Sequence, residues 1–430
     1  MKRYAMEKLV EWKTANKRKP LIIRGARQVG KTWLMKEFGQ AHFENMAYIN
    51  FDNNERMKNL FSGDYDIPRL IDGLQAETGV KIRPQTTLIV FDEVQEVPPA
   101  LSSLKYFYEN NPEYAIVAGG SLLGVALHKG TSFPVGKVDF IHLYPMNFCE
   151  YLEAVGEEKL VELLRKKDWK LISAFATKYT DLLRKYYYVG GMPEAVAEYA
   201  ESKDYATVRK IHEQILFTYE QDFSKHPPVN VVPRIKSIWN SVPAQLSREN
   251  KKFSPGIVQK GSRLSDYELA FQWLLDCGLL YKVKQVSKPS TPLASYETHF
   301  FKIFIHDVGL LSTKTEMDVK TLLLGNRIFE EFKGALTEQF VLQEMIANGI
   351  TPYYWSSSGT AEVDFAFKHG SDVYPLEVKA EENLQSKSLK VYKEKFNPPI
   401  SLRTSMRDYR RESWLVNVPL YTVGVGVLDG

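Results

Sequence analysis

Leu21-Ile22-Ile23-Arg24 is a short apolar run. It is followed at once by Gly25-Ala26-Arg27-Gln28-Val29-Gly30-Lys31-Thr32 and then by the helical pattern WLMKEFG, which begins at Trp33. No other stretch restricts the fold so tightly. A G-x-x-x-x-G-K-T pattern between a strand and a helix is a phosphate-binding loop. Its glycines let the backbone curl until N–H groups face phosphate oxygens, and the helix N-terminus adds the positive end of its dipole. At average residue frequencies a chain of this length carries about 0.01–0.02 chance matches, so an ordinary glycine-containing turn is the minor reading. Gly25, Ala26, Arg27, Gln28, Val29, Gly30, Lys31, Thr32 and Trp33 are the expected nucleotide-binding residues. Lys31 is expected to reach the β- and γ-phosphates and to act in catalysis, and Thr32 to set its hydroxyl on Mg²⁺.

The loop sits at the head of an alternating pattern. Between 20 and 145, the apolar runs LIIRG, AYINFD, TLIVFDE, YAIVAGGS and FIHLYP alternate with helical stretches. That alternation predicts an α/β fold, a parallel sheet sandwiched by helices. TLIVFDE ends in two carboxylates. Asp92 suits the acidic partner that a phosphate-bound Mg²⁺ needs at a strand end, and Glu93 suits a general base for the attacking water. Two acidic residues closing a strand are common by themselves; the upstream loop gives them meaning. Ala118-Gly119-Gly120-Ser121 closes the next strand, where Ser121 either senses the γ-phosphate or merely completes a Gly-Gly-Ser turn.

Beyond 150 the pattern changes. Residues 151–225 read as helical, with aromatic segments at Leu182–Tyr188 and Ile211–Tyr219 and a break at Gly190-Gly191-Met192-Pro193. Pro227-Pro228 marks a boundary. Residues 230–312 read as a small helical domain ending in a β-ribbon, LLYKVKQV returning as FFKIFIHD, which is the order of a winged helix. Ser265 is expected to cap the helix running through Cys277, with Gly278 stopping it. A last unit opens with a helix near Ile328–Ala347. Strands follow at 353–355, AEVDFAF and VYPLEVKA, then a helix around Leu384–Phe396 and apolar C-terminal strands.

The succession of the phosphate loop, FDEVQ, AGGS, LYPMNFCEYL, GGMPE (190–194) and GALTEQFV (334–341) resembles a bacterial and archaeal clade of AAA+ ATPases. The resemblance covers essentially the whole chain. It implies an AAA+ core over 1–150, a helical lid over 151–228, a winged helix over 229–318 and a C-terminal domain over 319–430. It also implies the AAA+ strand order, ATP and Mg²⁺ as cofactors, hydrolysis of ATP, and the sensor position for Ser121. One departure is visible: relatives commonly carry a Gly-Arg pair where this chain has Gly136-Lys137, and lysine lacks the planar fork of arginine. Arg27 and Arg184 are candidates for an arginine acting in trans, although solvated or structural arginines are the more ordinary reading of both.

The last unit places Glu338 on a helix, Glu362-Val363-Asp364 on one strand and Glu377-Val378-Lys379 on the next. Period-two alternation puts Glu362 with Asp364, and Glu377 with Lys379, on shared strand faces. Carboxylates and a lysine so arranged can hold one or two Mg²⁺ ions and activate a water beside a phosphodiester. The order helix-Glu, strand-Asp, strand-ExK, helix resembles the PD-(D/E)xK nuclease core. By that resemblance Asp364 and Glu377 are metal ligands, Glu338 is an accessory ligand and Lys379 positions the water. A retained fold whose charges form an ordinary ion-pair cluster is the alternative.

Composition narrows the setting. No run of about 18 apolar residues is present, so membrane insertion is not expected. The charged N-terminus MKRYAMEKLVEWKTANKRKP lacks the core of a secretory signal. Two cysteines, Cys149 and Cys277, make neither a disulfide framework nor a multi-cysteine zinc site, which suits a reducing cytoplasm. Net charge is +4, too balanced to argue by itself for nucleic acid. Lys282, Lys284 and Lys288 on the ribbon are candidate DNA-phosphate contacts. So are Arg403, Arg407, Arg410 and Arg411 in the last unit and Lys13, Lys17, Arg18 and Lys19 before the first strand, although each such run is more often a solvated face. His306-Asp307 reads as a structural pair. The expected function is an ATPase whose nucleotide state drives a DNA-directed output; the alternative is a nucleotide-controlled protein-interaction switch with a silent nuclease-like domain.

Overall fold

The computed structural model describes residues 1–121, 134–225, 227–324, 327–357, 361–380 and 386–426, and within 322–332 only the backbone. The chain divides into two compact units, 1–144 with 276–279, and 145–275 with 280–430.

In the first unit all five expected strands form: β1 Leu21–Arg24, β2 Asn45–Asn50, β3 Thr87–Asp92, β4 Ala115–Gly119 and β5 Asp139–His142. Their order is β2-β3-β4-β1-β5, with every pairing parallel. The continuous apolar runs follow from this placement, because a parallel sheet is covered on both faces. β3 is buried from end to end, Asp92 included. On one face Ile22, Ile49, Ile89, Phe91 and Ile116 pack against Leu70 and Leu74 of α4 (Ile67–Thr78) and Leu101 and Leu104 of α5 (Pro98–Asn110). Local sequence sets the helix ends. Asp66 accepts from the Arg69 N–H at 3.0 Å to start α4, and Gly79, in the left-handed region, stops it. The order and direction of the strands are those of a P-loop NTPase.

The second unit begins with the expected helices, Phe148–Ala154, Glu158–Lys166, Trp169–Ala174, Ala176–Val189, Pro193–Ser202 and Tyr205–Lys225. The tyrosines of the Leu182–Tyr188 segment turn inward: Tyr186, Tyr187 and Tyr188 are buried. GGMPE proves to be a joint between backbones. A Cβ on Gly309 would lie 2.7 Å from Gly190 Cα, and one on Gly191 would lie 2.1 Å from the Met146 carbonyl oxygen. The Asp307 carboxylate locks the contact, accepting from the Gly191 N–H at 2.7 Å and, as N-cap of the Val308–Lys314 helix, from Leu310 N–H at 3.0 Å. His306 meets the Tyr219 hydroxyl at 3.3 Å, so both members of the His-Asp pair are structural.

The ribbon departs from expectation. Helices Val232–Leu246, Pro255–Val258 and Glu268–Asp276 precede it in order, and β6 (Leu280–Val286) pairs antiparallel with β7 (Glu297–Ile305). The ribbon does not stand free as a wing. β6 also pairs, in parallel, with β8 (Tyr353–Ser356), Gln285 opposite Tyr354. The result is one eight-stranded sheet ordered β12-β13-β11-β10-β9-β8-β6-β7, so the strands on either side of the 318/319 boundary belong to one sheet. Its remaining strands are β9 Glu362–His369, β10 Asp372–Val378, β11 Ser401–Ser405, β12 Arg410–Arg411 and β13 Leu415–Pro419. Ser265 is not a cap: it lies inside a 3-10 turn, Leu264–Tyr267, where Asp266 accepts from the Arg263 N–H at 2.8 Å. The helix expected around Leu384–Phe396 runs Lys387–Phe396, and Leu384 lies outside the described residues.

The Arg327–Ala347 helix carries the GALTEQFV segment through the interior with polar side chains attached. Gln339 donates to the Ile305 carbonyl at 2.6 Å. Gln343 accepts from Val308 N–H at 3.0 Å and donates to the Tyr186 hydroxyl at 2.8 Å. Glu344 accepts from Phe148 N–H at 2.8 Å. Burial, with Glu150 adding repulsion, pushes the Glu344 carboxyl up to about 8. Its ordinary value is ~4.3, so between those limits the unfolded chain ionises while the folded chain keeps the proton. Stability from this group is therefore full below pH ~4.3 and lost as pH rises through about 8, by up to ~1.4 kcal/mol per unit. Glu344→Gln is expected to remove that slope and to overtake the wild type towards pH 8. Urea unfolding across pH 5–9 checks it, and parallel stability curves for the two proteins would refute it.

Candidate functional site

The phosphate loop depends on backbone that glycine makes possible. Gly25 has φ +154° and sits so close to the chain leaving β5 that a Cβ would lie 2.1 Å from the Leu143 carbonyl oxygen. Gln28 (φ 67°) and Gly30 (φ 92°) are also left-handed, a backbone of the kind that forms anion-binding nests, before α2 (Lys31–His42) begins. Ala26 and Val29 are buried beneath the loop, while Trp33, on the first turn of α2, is 42% exposed. Arg27 is exposed on the loop.

Lys31 is folded back over its own loop, Nζ donating to the carbonyls of Gly25 at 3.0 Å and Ala26 at 2.8 Å. Burial lowers its pKa to about 8 although Glu93 and Asp92 pull it upward. Asp92, at the end of β3, collects three donors. Its Oδ2 accepts from the Thr32 hydroxyl at 2.8 Å and the Tyr48 hydroxyl at 2.7 Å, and its Oδ1 accepts from the Glu93 N–H at 3.1 Å. Thr32 and Asp92 thus bring two oxygens together at the loop, an all-oxygen set that suits a hard divalent cation. Tyr48 is held protonated by burial and by this hydrogen bond, and the Lys36 ammonium lies 4.1 Å from its ring centre.

Glu93 adopts a left-handed conformation, φ 51°. Its Oε2 accepts from the Gln95 side-chain amide at 2.6 Å and from Ser121, through N–H at 3.3 Å and hydroxyl at 3.4 Å. The residues singled out from sequence in this unit, Lys31, Thr32, Asp92, Glu93 and Ser121, therefore meet in one place. Tyr48 and Gln95 were missed. Gln95 lay within the FDEVQ segment, but Tyr48 carried no signal beyond its place inside an apolar strand. Lys137 is bound to Glu109 at 2.9 Å. Arg184 lies 3.7 Å from Asp181, one turn away on its own helix.

In the second unit the charges are arranged differently. Lys302, on β7 and 1% exposed, places Nζ 2.6 Å from Glu362 and 3.9 Å from Glu338. Lys251 binds the other oxygen of Glu338. Lys379 pairs with Glu377 at 2.9 Å, as their shared strand face requires. Asp364 accepts from the Val378 N–H at 2.8 Å. Burial opposes the charge on Lys302, but Glu338, Glu362 and Asp364 together outweigh it and raise its pKa. Burial likewise works against ionised Glu338; Lys251 and Lys302 outweigh it and keep the carboxylate charged. Asp364 goes the other way, raised by burial and by Glu338. Among the described residues no three His, Cys, Asp or Glu side chains form a group able to hold a metal ion. Lys251 and Lys302 were missed from sequence, yet a lone lysine in the apolar strand FFKIFI was a signal that a buried carboxylate faced it.

The basic runs are largely committed. Arg403 is buried, donating to Asn417 at 2.9 Å and Ser386 at 3.1 Å. Arg18 reaches the Glu113 carbonyl at 3.1 Å, and Lys13 donates to the His42 carbonyl. Lys284 pairs with Glu297, and Lys282 lies over Phe301 at 4.1 Å. Among the described residues no helix is long and apolar enough to cross a membrane.

Comparison with known proteins agrees with the first unit. A family model described as an AAA domain matches residues 17–152, and two models described as domains of unknown function match residues 180–321 and 333–422. No curated protein matches the chain. Among solved structures, a Walker-type ATPase of Pyrococcus abyssi is 14% identical over 73% of this chain and 95% of that one, with a TM-score of 0.45. The ORC1 protein of Aeropyrum pernix, solved in complex with DNA, is 14% identical over 73% and 90%, with a TM-score of 0.27. Cdc6p of Pyrobaculum aerophilum is 12% identical over 73% and 92%, with a TM-score of 0.23. The loop and the strand order give this unit a P-loop NTPase fold, and the family match over residues 17–152 is to an AAA domain. Gly25→Ala, which drives a Cβ into the Leu143 carbonyl, is expected to destabilise this unit by about 1–3 kcal/mol. An unchanged urea midpoint would count against the crowding described above.

Proposed function

We propose that the chain binds ATP with Mg²⁺ and hydrolyses it, using nucleotide state to control the second unit. The observation that carries this reading is the meeting of Lys31, Thr32, Asp92, Glu93 and Ser121 around a loop with left-handed backbone at Gln28 and Gly30. The residues Gly25 to Trp33 would enclose the phosphates. Lys31 exchanges the carbonyls of Gly25 and Ala26 for β- and γ-phosphate oxygens, charge replacing dipole as its partner. Thr32 and Asp92 would hold Mg²⁺, which neutralises charge on the β- and γ-phosphates when bound. Tyr48 keeps its hold on Asp92 when Thr32 turns away. Glu93 accepts a proton from the attacking water as the new P–O bond forms and the β,γ-bridging P–O bond breaks, leaving ADP and inorganic phosphate. Ser121, touching Glu93, would report the γ-phosphate to it.

Two readings of the output differ in what the second unit meets. The DNA-directed reading would use the basic residues and the Glu338, Asp364, Glu377 and Lys379 cluster, on DNA as partner. The second is a nucleotide-controlled switch that engages a protein. A specific observation favours the second: Lys13, Arg18, Lys282, Lys284 and Arg403 already have partners within the fold. Both free cysteines, Cys149 and Cys277, are buried, which supports placing the chain in a reducing cytoplasm.

Steady-state Mg²⁺-dependent ATP turnover tests the proposal. Lys31→Ala is expected to abolish turnover, and Glu93→Gln to lower kcat by roughly 10²–10⁴-fold while ATP still binds. A wild type that binds ATP without turning it over would sink the hydrolysis step. Double-stranded DNA is expected to leave the rate unchanged; DNA-stimulated turnover lost in Lys31→Ala would return the DNA-directed reading to first place.

A further inference from the structure

The carboxylates of the second unit invite a divalent cation, yet their arrangement already contains a cation. Lys302 enters from β7 with its stem buried in the sheet, and its ammonium stands between Glu362, at 2.6 Å, and Glu338, at 3.9 Å. The face of Tyr354 closes a further side, its ring centre 4.9 Å away. Lys251 takes the second oxygen of Glu338, and Lys379 takes Glu377. Asp364 turns one oxygen to the Val378 N–H rather than into a common centre. A bound Mg²⁺ would need several oxygens at about 2.1 Å in near-octahedral array. Here the carboxylate oxygens are spaced around an ammonium group, and a second cation beside it would be repelled.

We propose that Lys302 is an internal substitute for the metal ion of a nuclease-like site, so that this cluster binds no divalent cation and cuts no phosphodiester. The second unit keeps the order of helix-Glu, strand-Asp and strand-ExK, but a covalently attached charge supplies the counter-ion. The inference goes beyond the ATPase reading and does not rest on it, because none of these residues belongs to the nucleotide site.

Two consequences separate an internal cation from an ordinary ion pair. Wild-type protein, free of nucleotide and titrated with Mn²⁺, binds no ion that depends on the cluster, so its isotherm superimposes on that of Asp364→Asn. Removing the ammonium then creates a vacancy for a metal. Lys302→Ala melts lower than wild type, gains one Mn²⁺, and recovers roughly 5 °C or more at saturating metal; Lys302→Ala with Asp364→Asn loses both the ion and the recovery.

Electron paramagnetic resonance for bound Mn²⁺ and thermal melting of the full chain read these out. Wild-type Mn²⁺ binding that disappears in Asp364→Asn would overturn the proposal, as would metal-dependent DNA cleavage lost in that variant. A folded Lys302→Ala that gains no ion overturns it too. Should Lys302→Ala fail to fold, the wild-type and Asp364→Asn isotherms still decide, with Glu362→Gln as the second control.

Discussion

A polar group taken out of water must find another partner, and the second unit is assembled around that requirement. The Arg327–Ala347 helix runs through its interior carrying Thr337, Glu338, Gln339, Gln343 and Glu344, all buried. The partners come from distant segments: the Tyr187 hydroxyl for Thr337, the end of β7 for Gln339, the start of the Val308–Lys314 helix for Gln343, and the start of the Phe148–Ala154 helix for Glu344. An all-apolar helix would bury as much surface without choosing among neighbours. This one accepts few alternative packings, because each would strand donors and acceptors. Its polarity selects the arrangement more than it adds stability.

The nucleotide site obeys the same constraint with the opposite purpose. There, under the proposed function, the polar groups rest on partners that a ligand would replace. Lys31 rests on two carbonyls of its own loop, and Thr32 on Asp92. Three donors gather on one oxygen of Glu93. Under the proposed function, each contact would hold a side chain near the bound phosphates, leaving little ordering for the ligand to impose.

What could be read from the sequence was what short stretches encode alone. The phosphate loop, the five strands of the first unit and the Asp92-Glu93 pair were legible because glycine spacing and apolar runs are local signals. The pairing of Gln285 with Tyr354 was not, since strands of similar composition do not announce their neighbours. The ribbon therefore read as a wing when it is part of a larger sheet. Tyr48 was invisible for a similar reason: its partner Asp92 lies 44 residues away, and a tyrosine in an apolar strand needs no functional explanation. In the carboxylate cluster, strand alternation pointed to Glu362 with Asp364 and Glu377 with Lys379, but the lysine that meets Glu338 and Glu362 arrives from another strand. Ser265 failed more simply, outcompeted by Asp266 for the backbone at that turn.

The contact between Gly190 and Gly309 has a mechanical side. Most packed segments meet through side chains, whose rotamers can absorb a small displacement before the backbone moves. Here the chain immediately after the Ala176–Val189 helix touches the Val308–Lys314 helix backbone to backbone, and the Asp307 carboxylate bridges to the Gly191 N–H. Such a contact has no slack. A shift of either segment passes to the other at full amplitude, as through a pinned linkage rather than a cushion. The Gly-Gly pair that looked like a break in a helical pattern is where those two stretches of chain meet backbone to backbone.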